Sequence, residues 1–410
     1  MNRRRFLATV FAVSAAPSLA RAQRPRPRKI VLRSSWQTVN IGDIAHTPGM
    51  LALLERHNPD AVVTLWPNTL SADVEQLLTT RFPKLRIART EAEQDAALQA
   101  CDFFLHGSGP SLVGSLETER ARKAGKPYGI AGVTLVDEQI HANRETLAGA
   151  KFIFARDTIS LEALKKSGLT GPKMEFGPDA TFALDLRDDG AAARLLAAHQ
   201  LEAGKFLCAV PRLRWTPYWE IHPERVKPNP ERIAINAKFA EADHAKQREA
   251  ITSWVRQTRL RVFLVPEMTY AVSRLRPLLF DSLPADVKPH VAVMDRYWLT
   301  AEAASVYARA AAVLSFEMHS PIMAIAGGVP AIHMRQPTDT SKGQMWRDVG
   351  LGDWLFEIEG ATGEQIAARL LALHRNRQAT QTTVAETRAF TAARGKAMMD
   401  AIREALTAGA

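Results

Sequence analysis

The sequence predicts an α/β protein built as two Rossmann-like domains facing a central cleft, and three observations carry that prediction. From Lys29 onward one pattern repeats: a short β-branched or aromatic run, a loop holding Gly, Asp or His, then a segment of helical period. The pattern runs through twice, interrupted between Arg187 and Gly204 by acidic residues, Gly190 and an Ala-rich helical stretch with no strand. The length of 410 residues suits two domains of roughly 100–200 residues each with further helices. Composition agrees, since 46% hydrophobic and 23% charged side chains exclude a largely disordered chain, a collagen-like repeat and a polytopic membrane protein.

Strands of the first half are predicted at Lys29–Arg33, Ala61–Leu65, Asp102–Leu105, Tyr128–Val133, Phe152–Ala155 and Lys173–Phe176, with helices near Met50–His57, Ser71–Arg81 and Ser160–Lys166. Those of the second half fall at Phe206–Val210, Val262–Val265, Val291–Met294, Ala312–Phe316 and Val329–His333, with helices near Asp243–Gln257, Ala301–Ala310 and Pro321–Ala326. The domains are therefore placed at residues 30–190 and 204–360. Residues 361–410 hold two amphipathic helices that close over the domains or cross between them. Only two cysteines are present, Cys101 and Cys208, each in or beside an apolar run, which excludes a disulfide framework and reads as buried free thiols.

Residues 1–22 read as an export signal of the twin-arginine type: Arg3-Arg4-Arg5-Phe6-Leu7, a short apolar run to Ala16, then Ala20-Arg21-Ala22 as a small-x-small cleavage site. The apolar run is too short to be a stable membrane anchor. Export implies a periplasmic or secreted protein whose partners include the twin-arginine machinery. The formal charge of +10 falls by four, to +6, without Arg3, Arg4, Arg5 and Arg21. Residues 23–29 then form a basic Pro-rich tether, Arg24-Pro25-Arg26-Pro27-Arg28-Lys29, extended by its prolines and like charges. The basic balance thus needs no nucleic acid as partner.

In parallel α/β sheets ligands bind beyond the carboxyl ends of the strands, so the residues that follow each apolar run are the candidates. The first half offers Asp43 and His46 on the loop after the first strand, His106-Gly107-Ser108-Gly109, Arg156-Asp157 and Gly177-Pro178-Asp179. The second offers Arg212 and Arg214, Glu267, and Glu317-Met318-His319. Ser320-Pro321 marks a helix start, so a helix N-terminus points at Glu317 and His319, where a histidine acts as general acid or base. Gly107 and Ser108 can present backbone amides to an oxyanion or a sugar hydroxyl, or simply turn the chain. Trp215-Thr216-Pro217-Tyr218-Trp219 sets flat rings in a loop, suited to stacking on sugar or to packing. No H-E-x-x-H, H-x-H or cysteine pair is present, so no metal is expected.

Five landmarks in order give the chain a resemblance to the polysaccharide pyruvyl transferase family. They are Asn40-Ile41-Gly42-Asp43, His106-Gly107-Ser108-Gly109, Ala155-Arg156-Asp157-Thr158-Ile159-Ser160 with Leu164 and Gly168, Gly177-Pro178-Asp179-Ala180, and Ser315 to Pro330 with Lys342 beyond. The resemblance implies a glycosyltransferase B-like fold, no cofactor, and transfer of a pyruvyl ketal from phosphoenolpyruvate, the donor substrate, to sugar hydroxyls of a polysaccharide or oligosaccharide. It gives Arg212, Arg214 and His319 donor-binding roles. One departure stands out: the family's late Arg-x-His is here Glu317-Met318-His319, and an opposed unit charge at about 4 Å is worth roughly 4 kcal/mol at an effective dielectric near 20. That sign change opens an alternative, a polysaccharide hydrolase using Glu317 and Glu267 as a carboxylate pair. A non-catalytic glycan-binding protein is the third reading.

Overall fold

The computed structural model describes residues 26–34 and 37–407, so the export signal expected at residues 1–22 lies outside the described residues. Two parallel sheets form the molecule. The first contains β1 (Lys29–Ser34), β2 (Val62–Pro67), β3 (Arg86–Ile87), β4 (Phe103–His106), β5 (Tyr128–Val133), β6 (Phe152–Ala155) and β7 (Lys173–Phe176), in the order β3-β2-β1-β4-β5-β6-β7. The second contains β8 (Phe206–Val210), β9 (Arg261–Leu264), β10 (Val291–Val293), β11 (Ala312–Ser315), β12 (Ala331–Arg335) and β13 (Leu355–Glu357), in the order β10-β9-β8-β11-β12-β13. In each sheet the order reverses beside the first strand in sequence, which opens a crevice at the strand ends there.

Central strands carry continuous apolar runs because helices cover both faces. Phe103 and Leu105 of β4 pack on one side of the first sheet and Phe104 on the other, while Phe206, Phe263 and Leu314 anchor the second core. Cys101 and Cys208 are buried free thiols. The sequence pattern misses β3 and β13, edge strands of two and three residues, too short to show a period.

Two helices begin earlier than their apolar period suggests. One runs Ile41–His57 from an Asn40 cap, and the other Pro230–Thr258 from an Asn229 cap. Asp43 and His46 therefore stand on a helix and not on a loop. The last helix, Arg377–Thr407, returns to the first half, where Met398, Met399 and Ile402 join its core and Arg394 Nε donates to the Phe176 carbonyl at 2.8 Å. Among the described residues no helix is long and apolar enough to cross a membrane.

The halves are also joined by main chain. The Ile41 amide donates to the Glu267 carbonyl (3.1 Å), the Thr269 amide donates to the Val39 carbonyl (3.0 Å), and Thr300 Oγ1 donates to the Ile41 carbonyl (2.6 Å). This seam runs directly beside the polar residues of the crevice.

Candidate active site in the crevice

The first half supplies a buried cluster. Asn40 holds the start of the Ile41–His57 helix by accepting from the Gly42 amide at 2.7 Å, which fixes Asp43 and His46 three residues apart on one helical face. Asp43 Oδ1 and His46 Nε2 lie 3.9 Å apart. Asp179, just past β7, meets His46 Nδ1 at 3.0 Å through Oδ1, and its Oδ2 accepts from Arg156 Nη1 at 2.7 Å. Arg156 is only 1% exposed and its Nε donates to Thr134 Oγ1 at 2.8 Å. Burial alone raises the Asp179 carboxyl, but neighbouring His46 and the Arg156 guanidinium outweigh it and hold Asp179 well below the usual carboxylate range. His46, fully enclosed, moves the other way: burial lowers it more than Asp179 restores, which favours neutral imidazole.

The second half supplies Glu267, Glu317 and His319. The His319–Ala326 helix starts against Glu267, whose Oε2 accepts from the Ser320 amide (2.7 Å) and from Ser320 Oγ (2.6 Å), while Oε1 meets His319 Nδ1 at 3.1 Å. Burial opposes charge on both partners, yet their mutual hydrogen bond and attraction lower Glu267 and raise His319, giving an ion pair. Glu267 is completely buried and both its oxygens are engaged, so the geometry casts it as the positioning residue for His319. It lacks the exposed, protonated oxygen that the acid of a hydrolytic carboxylate pair needs.

Glu317 differs. Burial first, then the charge of Glu267, push its carboxyl up to about 7, although Arg212 and Lys342 pull it down. Arg212 Nε lies 3.4 Å from Glu317 Oε1, and its Nη1 pairs with Asp339 and with Gln336 Oε1 (3.2 Å). A carboxyl at that value is close to half protonated at neutral pH, which softens the charge clash expected from an acid in place of the family's arginine.

The structure brings Asp43, His46, Arg156, Asp179, Arg212, Glu267, Glu317, His319 and Lys342 into one neighbourhood and directs others elsewhere. Arg214 makes a two-pronged contact with Asp243 (2.8 and 2.9 Å), pairs with Glu359 (2.8 Å) and stacks 3.5 Å over Phe239, so it braces the second domain. His106 accepts from the Gly114 amide at 3.2 Å and its Nδ1 meets the Gly107 carbonyl at 2.8 Å; burial pulls it down to about 3, a neutral structural ring. The Gly107 and Gly109 amides donate to the Arg33 and Gly132 carbonyls (3.0 and 3.2 Å), so they face the protein and not a ligand. Ser108 Oγ bridges the Gly132 carbonyl and the Ala180 amide at 3.1 and 3.2 Å. Trp215 is half-buried under Arg232, 4.3 Å from its ring centroid.

Two residues near the crevice, Gln37 and Asp339, escape the sequence reading, and Tyr218 joins them from the aromatic stretch. Gln37 Nε2 donates to Asp43 and to the Tyr218 hydroxyl (3.1 Å), and Asp339 completes the Arg212 contacts. Tyr218 lies within the aromatic stretch that the sequence marks out, so a signal existed for it. Gln37 and Asp339 sit in polar loops with none. Across the seam the His46 and His319 rings meet edge-on, with centroids 4.9 Å apart. Gly42 permits this approach, since a Cβ there would stand 2.2 Å from His319 Cγ.

With that geometry in view, similarity to known proteins separates fold from family. The chain superposes on UDP-GlcNAc 2-epimerase from Neisseria meningitidis bound to UDP-GlcNAc with a TM-score of 0.56 at 11% identity, covering 92% of this chain and 100% of that one. For S. aureus MnaA in its UDP co-structure the TM-score is 0.56 at 12% identity, over 88% and 92% of the two chains. UDP-N-acetylglucosamine 2-epimerase from Rickettsia bellii gives 0.55 at 11% identity, over 93% and 97%. At such identities these structures share the glycosyltransferase B-like architecture with this chain. No curated protein matches it in sequence. The family model of polysaccharide pyruvyl transferases matches residues 40–336, which include both sides of the seam, and on that match the chain belongs to the polysaccharide pyruvyl transferase family.

Proposed function

We propose that the protein transfers a pyruvyl ketal from an enolpyruvyl phosphate, with phosphoenolpyruvate as the donor, to a pair of hydroxyls on a polysaccharide sugar. The observation that carries this reading is the family match over residues 40–336, which includes Asp43, His46, Arg212, Glu317 and His319 of the crevice. One acceptor hydroxyl adds to the enol carbon while a proton goes to the methylene carbon, which becomes a methyl group. The second hydroxyl then displaces phosphate at the same carbon, closing the ketal, and its proton leaves with phosphate. Arg212 and Lys342 hold the anionic donor, and Glu317 and His319 are the proton-carrying side chains beside it.

The test is calorimetry with phosphoenolpyruvate, followed by incubation with acceptor oligosaccharides and mass spectrometry of the products. Saturable donor binding and a ketal-bearing sugar with stoichiometric phosphate release are expected. Absence of donor binding, with or without acceptor, overturns the reading.

Export by the twin-arginine route, supported by residues 1–22, forms part of the proposal and places the protein in the periplasm or outside the cell. Replacing Arg3, Arg4 and Arg5 together by Lys retains the precursor in the cytosol on this account. Wild-type protein that stays cytosolic at full precursor length refutes export and leaves the proposed transfer reaction standing.

A further inference from the structure

The contact between His46 and His319 raises a question that the transfer reaction does not answer. Both rings turn Nδ1 toward a buried carboxylate, His319 toward Glu267 Oε1 at 3.1 Å and His46 toward Asp179 Oδ1 at 3.0 Å. Both leave Nε2 buried with no hydrogen-bond partner among the described residues. Of the two Nδ1 contacts, the one from His319 to Glu267 has hydrogen-bond geometry, while the one from His46 to Asp179 is an ion-pair contact. A buried, unpartnered ring nitrogen is costly, and here two of them occur beside a third donor. His46 Nε2 lies 3.9 Å from Asp43 Oδ1, and one donor atom from each of Asp43, His46 and His319 lies within 4.8 Å of the others.

A carboxylate behind each imidazole, with the far nitrogen presented to a common point, is the arrangement by which proteins orient histidines toward a metal ion. We propose that Asp43, His46 and His319 bind one divalent transition-metal ion, with Glu267 and Asp179 as the positioning carboxylates that aim the two rings.

Charge supports the assignment. A metal ion takes the place of the His319 proton, and Asp43, Asp179 and Glu267 against Arg156 then leave two negative charges in a nearly closed space, which a divalent ion neutralises. Two imidazole nitrogens and one carboxylate oxygen suit Zn²⁺, Co²⁺, Fe²⁺ or Mn²⁺, and are a poor set for Ca²⁺ or Mg²⁺, which prefer oxygen. The donors must draw in by about 1 Å to reach bonds of ~2.0–2.2 Å. Three protein ligands leave further positions for an outside oxygen, and an ion there lowers the pKa of a bound sugar hydroxyl. His319 Nε2 then serves as a ligand, and Glu317 remains to carry the proton.

The sequence signal was absent because the ligands are dispersed. Asp43 and His46 sit one helical turn apart, but His319 comes from the other sheet, so no short metal-binding spacing exists to be found.

The test uses untagged full-length chain, freed of metal by chelator and titrated with Co²⁺ alone. About one equivalent of tightly held ion by elemental analysis is expected, with the intense visible absorption of a low-coordinate nitrogen and oxygen site. Zn²⁺ should displace the signal and excess Mg²⁺ should not. Asp43→Asn should abolish tight binding, and Glu267→Gln should weaken it by about 10- to 100-fold, with folding of each checked by circular dichroism. Wild-type protein that binds no Co²⁺ beyond weak, featureless association overturns the inference without recourse to any variant. So does a site that survives Asp43→Asn intact. Metal binding without phosphoenolpyruvate binding sinks the donor assignment and keeps this one, and the reverse outcome does the opposite.

Discussion

Removing the charge of Asp179 tests how the crevice tolerates a buried guanidinium. In Asp179→Asn, Arg156 keeps its positive charge at 1% exposure and loses the oxygen that pairs with it at 2.7 Å. Its other hydrogen bond, from Nε, goes to the neutral Thr134 hydroxyl at 2.8 Å. Breaking one side of a buried pair costs about 3–5 kcal/mol because the other charge stays uncompensated. The amide still caps the turn at Thr181, so the loss is mainly electrostatic. Converting the partner as well, in Arg156→Met with Asp179→Asn, removes the stranded charge and should recover at least ~2 kcal/mol relative to the sum of the single changes. Urea denaturation followed by the fluorescence of the eight tryptophans measures all four proteins. A cost for Asp179→Asn below about 1 kcal/mol, or a double variant equal to the sum of the singles, refutes the claim that this carboxylate neutralises Arg156.

Gly42→Ala should push a methyl into the His319 ring at 2.2 Å, costing about 1–3 kcal/mol of stability and on the order of 100-fold in turnover through misplacement; full activity in a steady-state assay contradicts the close approach. Glu317→Gln fixes the uncharged state beside Arg212, so phosphoenolpyruvate should bind about twofold tighter at pH 7 and about tenfold tighter at pH 8 by calorimetry while product formation falls, and weaker donor binding contradicts the placement of the donor. Three buried histidines set the acid response: burial first of all depresses His106 to about 3 and His244 and His333 to about 4. Stability from these rings is complete above an unfolded value near ~6.5 and is lost as pH falls toward their folded values, at ~1.4 kcal/mol per pH unit for each. His319, raised by Glu267, and Glu317, raised by burial, act in the opposite direction, but burial lowers His46 as well, so they are two against four. Urea midpoints that stay flat between pH 6.5 and 5 would contradict the burial of these rings in neutral form.

Periodicity made the two sheets legible, because central parallel strands such as Phe103–His106 and Phe206–Val210 are apolar throughout and end in polar punctuation. It failed at Ile41–His57 for a definable reason. Gly42, Pro48 and Gly49 weaken the helical signal over its first turns, and the Asn40 cap that starts the helix is a single residue. Site residues adjoining strand ends were found by the rule that ligands gather there, which serves Glu267, Asp179, Glu317 and His319. The same rule proposed Arg212 and Arg214 alike, yet one faces Glu317 and the other Asp243. Nothing in an Arg-x-Arg pair tells which partner, distant in sequence, will claim each. The meeting of His46 with His319 is a tertiary fact of the same kind.

The seam at Ile41 and Glu267 has a mechanical consequence. Glu267 accepts the Ile41 amide through its main chain and orients His319 through its side chain, so one residue belongs at once to the joint between the halves and to the chemistry. A rotation of one sheet against the other about that joint changes the mouth of the crevice most and the spacing between His46 and His319 least, as points near a pivot barely travel. Under the proposed transfer reaction, such a rotation would admit a large acceptor at the outer walls while His46 and His319 keep their separation.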